Sequence, residues 1–139
     1  MNAIVAIEPH AGGDFETPEK AAWLMEQTKH PHLGLNFDYS HFWVDGIDLQ
    51  HSIDLNLQYS VHNHIKGGYR DEEDRVRYQL PGDGELDMDV YFKAMQDASW
   101  DKYICPEVTG QIWSVEGYDA WSTALFCYDA LFKARASLG

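Results

Sequence analysis

The chain has 139 residues and a formal charge of −13, and 45% of its residues are hydrophobic, enough for one domain with its own core. So acidic a surface repels phosphate backbones and argues against nucleic acid as a partner. No apolar run approaches the roughly 20 residues that a bilayer span requires, so no membrane role is expected. Only Cys105 and Cys127 are present, without a CxxC pair, and the first residues lack the basic region and cleavage site of a secretory leader. Together these features predict a reduced, cytoplasmic setting.

Ala3 to Glu8 clusters Ile, Val and Ala and reads as a buried parallel strand. Thr17-Pro18-Glu19 supplies a cap, a proline for the first helical position and an acid for the first turn. That helix continues through Ala21, Ala22, Leu24 and Met25 until His30-Pro31 stops it. Leu33 to Phe37 is a second strand. Leu49, Ile53 and Leu57 then fall on one face of a helix over 48–57. Tyr59 to Ile65 is a third strand, and Gly67 to Asp83 reads as a long polar loop ending in the turn cluster Leu80-Pro81-Gly82-Asp83-Gly84. Asp87 or Asp89 can cap a helix running to Ala98, and Tyr103 to Val108 is a fourth strand. In the last helix, 118–136, Trp121, Leu125, Tyr128 and Phe132 recur at helical spacing, which predicts a core-facing stripe. The order is βα four times over, an α/β domain over residues 1–139 with parallel strands and helices outside them.

Each predicted strand closes on a polar residue: Glu8, Asp38, His64 and Glu107, at spacings of 30, 26 and 43 residues. In repeated βα units the strand ends point to one face. Two Glu, one Asp and one His gathered there make an oxygen-rich, one-imidazole site for a divalent ion. Strand alternation puts His62 on the same face as His64, so the residues alone leave either as the ligand.

The segments IEPH, LGLNFDYSHFWVDGID, HNHIKG, LPGDGELD and KYICPEV, in this order, resemble the sugar isomerase/epimerase-like (xylose isomerase-like) TIM barrels. The resemblance covers the chain as the C-terminal half of such a barrel, with four βα units equivalent to strands 5–8. Asp38-Tyr39-Ser40-His41 matches the family's Asp-x-x-His, and His64-Ile65-Lys66 matches its His-x-Lys, which prefers His64 to His62. Gly67 stands where the family often has Asp after that lysine. The resemblance implies that Glu8, Asp38, His64 and Glu107 bind one divalent metal ion, with Mn²⁺ favoured and Mg²⁺, Co²⁺ or Zn²⁺ also suited to the donor set. It further implies that Glu8 and Glu107 are the catalytic acid/base pair, exchanging a proton with a small keto sugar or related polyol through an enediolate. His41, His10, Arg70 and Lys66 are candidates to bind the substrate.

Epimerisation, isomerisation and the inosose-type dehydration all use such a site. Phe42, Trp43, Tyr69 and Trp113 could form an apolar floor for a sugar face or simply pack. The DNA-cleaving branch of the family needs further histidines, and the segment GGYRDEEDRVRYQL has none. A non-catalytic half-barrel subunit is the third class, separated from the others by metal binding. Four units cannot close an eight-stranded barrel, so the first and fourth strands predict open apolar edges. A homodimer or a complementary N-terminal half-barrel is therefore the expected partner.

Overall fold

Four short parallel strands in the order β1-β2-β3-β6 form the main sheet of the chain, whose computed structural model describes residues 3–139. They are β1 (Val5–Ile7), β2 (Leu33–Asp38), β3 (Ser60–Ile65) and β6 (Cys105–Pro106). A two-stranded antiparallel hairpin, β4 (Gly67–Arg70) with β5 (Val76–Gln79), follows β3 directly. The helices are α1 (Pro18–Thr28), α2 (Tyr39–Trp43), α3 (Leu49–Asn56), α4 (Met88–Asp97), α5 (Gly110–Trp113) and α6 (Ala120–Ala136). Among the described residues, no helix is long and apolar enough to cross a membrane.

Local chemistry accounts for most helix starts. Thr17 Oγ1 accepts from Lys20 N–H ahead of α1, Asp48 accepts from His51 N–H ahead of α3, and Asp119 accepts from Ser122 N–H ahead of α6. Of the two acids that could cap α4, Asp87 does so, taking the N–H groups of Asp89 and Val90. Each such cap contributes about 1 kcal/mol. Lys29 ends α1 in the left-handed conformation, at φ 43°, with its N–H on Met25 O.

Register decides which side chains meet. Val5, Ala6 and Ile7 pair with Leu33, Gly34 and Leu35, and Asp38 pairs with His64, which in turn pairs with Cys105. Between Leu35 and Asn36 the ladder shifts: Leu35 stands opposite Ser60 but Asn36 opposite His62, leaving Val61 as the extra residue of a bulge. Gly34 makes room there, since a Cβ on it would lie 2.7 Å from Val61 Cγ1. Beyond the bulge, Asn36 and Asp38 share a face with His62 and His64, while Phe37 and Ile65 turn to the helices. There they join Phe42, Ile53, Tyr91, Phe92, Met95 and Leu131 in the main core. A smaller cluster of Ala21, Met25 and Leu35 seats α1 on β2. Tyr91 is wholly buried, and its hydroxyl accepts from Asn63 Nδ2 at 2.7 Å.

The structure corrects four expectations. The segment expected as a polar loop over 67–83 contains the hairpin, which a local side chain builds: Asp71 Oδ1 accepts from the N–H groups of Glu73 and Arg75. Its two leading glycines carry little strand propensity and hide it from a propensity reading. The first strand is parallel as expected but not buried, with Val5 62% exposed, because β1 is the sheet's edge. The fourth strand is only two residues long, since Pro106 has no N–H to extend the ladder. The aromatic stripe of α6 is not core: Trp121 is 74% exposed, and Leu125, Tyr128 and Phe132 are exposed too. The helix buries the neighbouring stripe of Cys127, Leu131 and Ala134 instead.

Candidate metal centre

Glu8 follows edge strand β1, Asp38 ends central strand β2, His64 lies in central strand β3, and Glu107 follows edge strand β6. One ligand atom from each of these four lies within 4.8 Å of every other. The register produces this convergence directly. Asp38 and His64 are cross-strand partners, and Glu107 N–H donates to Ile65 O at 3.0 Å, which places its side chain beside them. His62 has its ring 5.0 Å from that of His64 but stands outside the group of four.

Asp38 is the most enclosed of the four, with no exposed surface. Its Oδ1 caps α2 by accepting from Ser40 N–H at 3.0 Å and from the Ser40 hydroxyl, and its Oδ2 accepts from Lys66 Nζ. Burial pushes the Asp38 carboxyl up, but the Lys66 ammonium, His41 and the Ser40 hydroxyl outweigh it and hold the group below the usual carboxylate range. Lys66 Nζ also donates to Glu107 Oε2 at 2.5 Å. The lysine thus lies buried between Asp38 and Glu107.

Glu8 is reached from two sides. Asn36 Nδ2 donates to its Oε2, and His41 Nε2 lies 3.2 Å from its Oε1. Burial raises the Glu8 carboxyl, but the His41 hydrogen bond and the Lys66 charge prevail over it, so the carboxyl stays below its ordinary value. His64 Nδ1 lies 3.1 Å from Glu8 Oε2 yet forms no hydrogen bond with any described residue, although it is shut off from solvent. A buried, orphaned imidazole nitrogen beside three carboxylates fits a divalent cation, as does the charge. Lys66 offsets only part of three negative groups.

The other expected site residues divide. His41 is buried at the centre, touching Glu8, Lys66 Nζ at 3.0 Å and Tyr78 Oη at 2.8 Å. His10 is exposed and packs its ring against that of His41, centroids 3.9 Å apart and planes tilted by 40°. Lys66 is engaged by Asp38 and Glu107. Arg70 is held by Asp45, with Nε to Oδ1 at 2.9 Å, and by Asp74 O, and makes no hydrogen bond to the four ligands among the described residues. Of the aromatic residues considered as a floor, Phe42 is in the core, Trp43 donates to Gly68 O at 2.9 Å, and Tyr69 and Trp113 are exposed. Gly67, which stands where Asp is common, is accounted for by the hairpin: a Cβ there would lie 2.8 Å from Asp83 O.

Sequence reasoning missed Asn36, Ser40 and Tyr78. Asn36 carried a usable signal, two residues before Asp38 and so on the same face of the strand. Tyr78 carried none, because it reaches the site only through the hairpin.

Residues 1–125 match the family described as the xylose isomerase-like TIM barrel. The chain belongs to that family. Among curated members it is 29% identical over 107 residues to an inosose dehydratase of Lactiplantibacillus plantarum, covering 67% of this chain and 34% of that protein. An inosose dehydratase of Geobacillus thermodenitrificans is 25% identical over 112 residues, covering 70% and 38%. The matched part of the chain thus spans only about a third of the length of these curated relatives. Its fold matches a xylose isomerase domain protein from Alicyclobacillus acidocaldarius with TM-score 0.75 at 19% identity, covering 96% of this chain and 50% of that one. It also matches the 3-keto-D-glucoside 4-epimerase of E. coli with TM-score 0.67 at 20% identity, covering 96% and 46%.

Proposed function

We propose that Glu8, Asp38, His64 and Glu107 hold one divalent ion, Mn²⁺ by preference, in an enzyme that isomerises or epimerises a small keto sugar or related polyol. The observation that carries this reading is the convergence of four strand-end donors within 4.8 Å, with a buried imidazole nitrogen left unpartnered among them. An ion bound there supplies a Lewis acid that favours negative charge on a substrate carbonyl oxygen. The chain's own residues do the rest. Asp38, fixed by Ser40 and Lys66, serves as a rigid ligand. Glu8 and Glu107 come from opposite edges of the sheet and flank the bound carbon, one removing its proton and the other returning one. The depressed carboxyl of Glu8 keeps it ionised and ready to accept.

Dehydration is the second reading, favoured by the curated relatives, which are inosose dehydratases. It begins with the same proton removal and ends with loss of a β-hydroxyl as water. Two edges and an exposed aromatic face on α6 support the further reading that a second unit, either another copy or a complementary half-barrel, closes the sheet. Free Cys105 and Cys127 agree with a reducing, cytoplasmic compartment.

The test is proton exchange. With Mn²⁺ and a panel of keto sugars and inososes in D₂O, the assembled protein should place deuterium on the carbon beside the carbonyl. Glu8→Gln and Glu107→Gln should each reduce that exchange by about 10²-fold or more. Product mass separates dehydration from epimerisation. Turnover without exchange would overturn the proton-transfer mechanism, and failure to bind Mn²⁺ would favour a non-catalytic subunit.

A further inference from the structure

Asn36 is buried on central strand β2, and stability does not account for its presence there. Its Oδ1 has no hydrogen-bond partner among the described residues, and the one bond its side chain makes among them runs from Nδ2 to Glu8 Oε2. A buried amide with half its hydrogen-bonding capacity unused costs free energy that an apolar side chain of similar shape does not. The direction of that single bond is fixed. The amide nitrogen can only donate, and the reverse placement would set Oδ1 against the carboxylate. Burial raises the Glu8 carboxyl, yet it stays below its ordinary value, so at neutral pH it is ionised and can only accept.

Glu8 is the member of the cluster that needs such a hold. It lies just beyond a three-residue edge strand that is paired on one side only, and its side chain is partly exposed. Asn36 belongs to a strand paired on both sides. It stands opposite His62, two residues before Asp38, and so shares a face with Asp38 and His64. The bulge at Val61 produces this alignment, since it is what brings His62 and His64 opposite Asn36 and Asp38. The Glu8 oxygen that Asn36 holds, Oε2, lies 3.1 Å from His64 Nδ1, the imidazole nitrogen without a partner, while Oε1 is left to His41. We propose that Asn36 is a positioning residue: by donating its side-chain amide to Glu8 Oε2 it pins the edge-strand glutamate beside His64, at a place set by the central strand. Its effect on metal affinity rests on the site proposed above; the hydrogen bond does not.

The experiment reads the bond and its consequence separately, on the full chain. With metal removed by a chelator, the Asn36 side-chain amide is followed by ¹H–¹⁵N correlation and assigned by its loss in Asn36→Leu. One of its protons should stand downfield and exchange slowly, and Glu8→Ala should return it to an ordinary position. Asn36→Leu keeps the branching of the side chain and replaces its polar atoms with methyl groups. The urea midpoint of the metal-free chain should stay the same or rise, whereas Mn²⁺ affinity, measured by calorimetric titration, should fall by about tenfold or more. In a Glu8→Ala background the same change should lower Mn²⁺ affinity by less than about twofold, because Asn36 acts through Glu8. An amide unmoved by Glu8→Ala, an unchanged Mn²⁺ affinity in folded Asn36→Leu, or losses that simply multiply overturns the proposal. If the wild type binds no Mn²⁺, the metal site fails, and the amide spectrum alone decides whether Asn36 holds Glu8.

Discussion

The two central strands and the two edge strands contribute two of the proposed ligands each. Asp38 and His64, on β2 and β3, are cross-strand neighbours set into a sheet paired on both sides. Asp38 is fully enclosed and engaged through both oxygens. Glu8 and Glu107 lie just past the short edge strands and keep 24% and 31% of their side chains exposed. Among the three carboxylates, the two proposed to move a proton are therefore less enclosed than Asp38, while His64, 30% exposed, is no more enclosed than they are.

Removing a charge from each region is the sharpest way to break this contrast. Asp38→Asn retains an oxygen that can cap α2 but removes the charge that meets buried Lys66, and should cost about 3 kcal/mol in urea unfolding of the metal-free chain. Glu8→Gln and Glu107→Gln should each cost less than about 1 kcal/mol, since their pairs are partly solvated. Equal losses at centre and edge would remove the distinction. Next in size is Gly34→Ala, which forces a methyl against Val61 and within 3.1 Å of Tyr59 O, and should lower stability by about 1–3 kcal/mol. A milder cost would mean that β2 and β3 separate more easily than their pairing implies.

The smallest effect tests whether the hairpin belongs with neither region. Burial raises the Asp71 carboxyl, but the Arg75 N–H and the guanidinium groups of Arg77 and Arg75 hold it well below the usual range. A group depressed in the folded state adds stability that is complete above its unfolded value, about 3.9, and is lost as pH falls through the lower folded value. The carboxyl ¹³C signal of Asp71 should therefore titrate below that of an ordinary aspartate. Asp71→Asn should loosen residues 71–77 in amide spectra while leaving Phe37 and Ile65 signals in place. A midpoint at the usual aspartate value would show the turn to be unpinned.

Much of the site was legible because strand ends and short motifs are local. Glu8, Asp38, His64 and Glu107 each close a β-prone run, and Asp38-x-x-His41 puts two groups on the first turn beyond a strand. What escaped was non-local. Tyr78 arrives through a hairpin whose first strand begins with two glycines, so propensity concealed it. The aromatic stripe of α6 was correctly periodic, but a period says that a helix has a distinct face and not what that face meets. The burial expected of β1 failed although the count of four units already put that strand at an open edge, where Val5 is 62% exposed.

Lys66 has a consequence for the order in which the protein matures. Gathering three carboxylates at one point normally sets them against each other until an ion arrives, which is why some small metal domains fold only on loading. Here a tethered ammonium is already seated between Asp38 and Glu107. That ammonium offsets part of their mutual repulsion without any bound ion. On the proposed reading, loading with a metal ion would then follow folding rather than drive it.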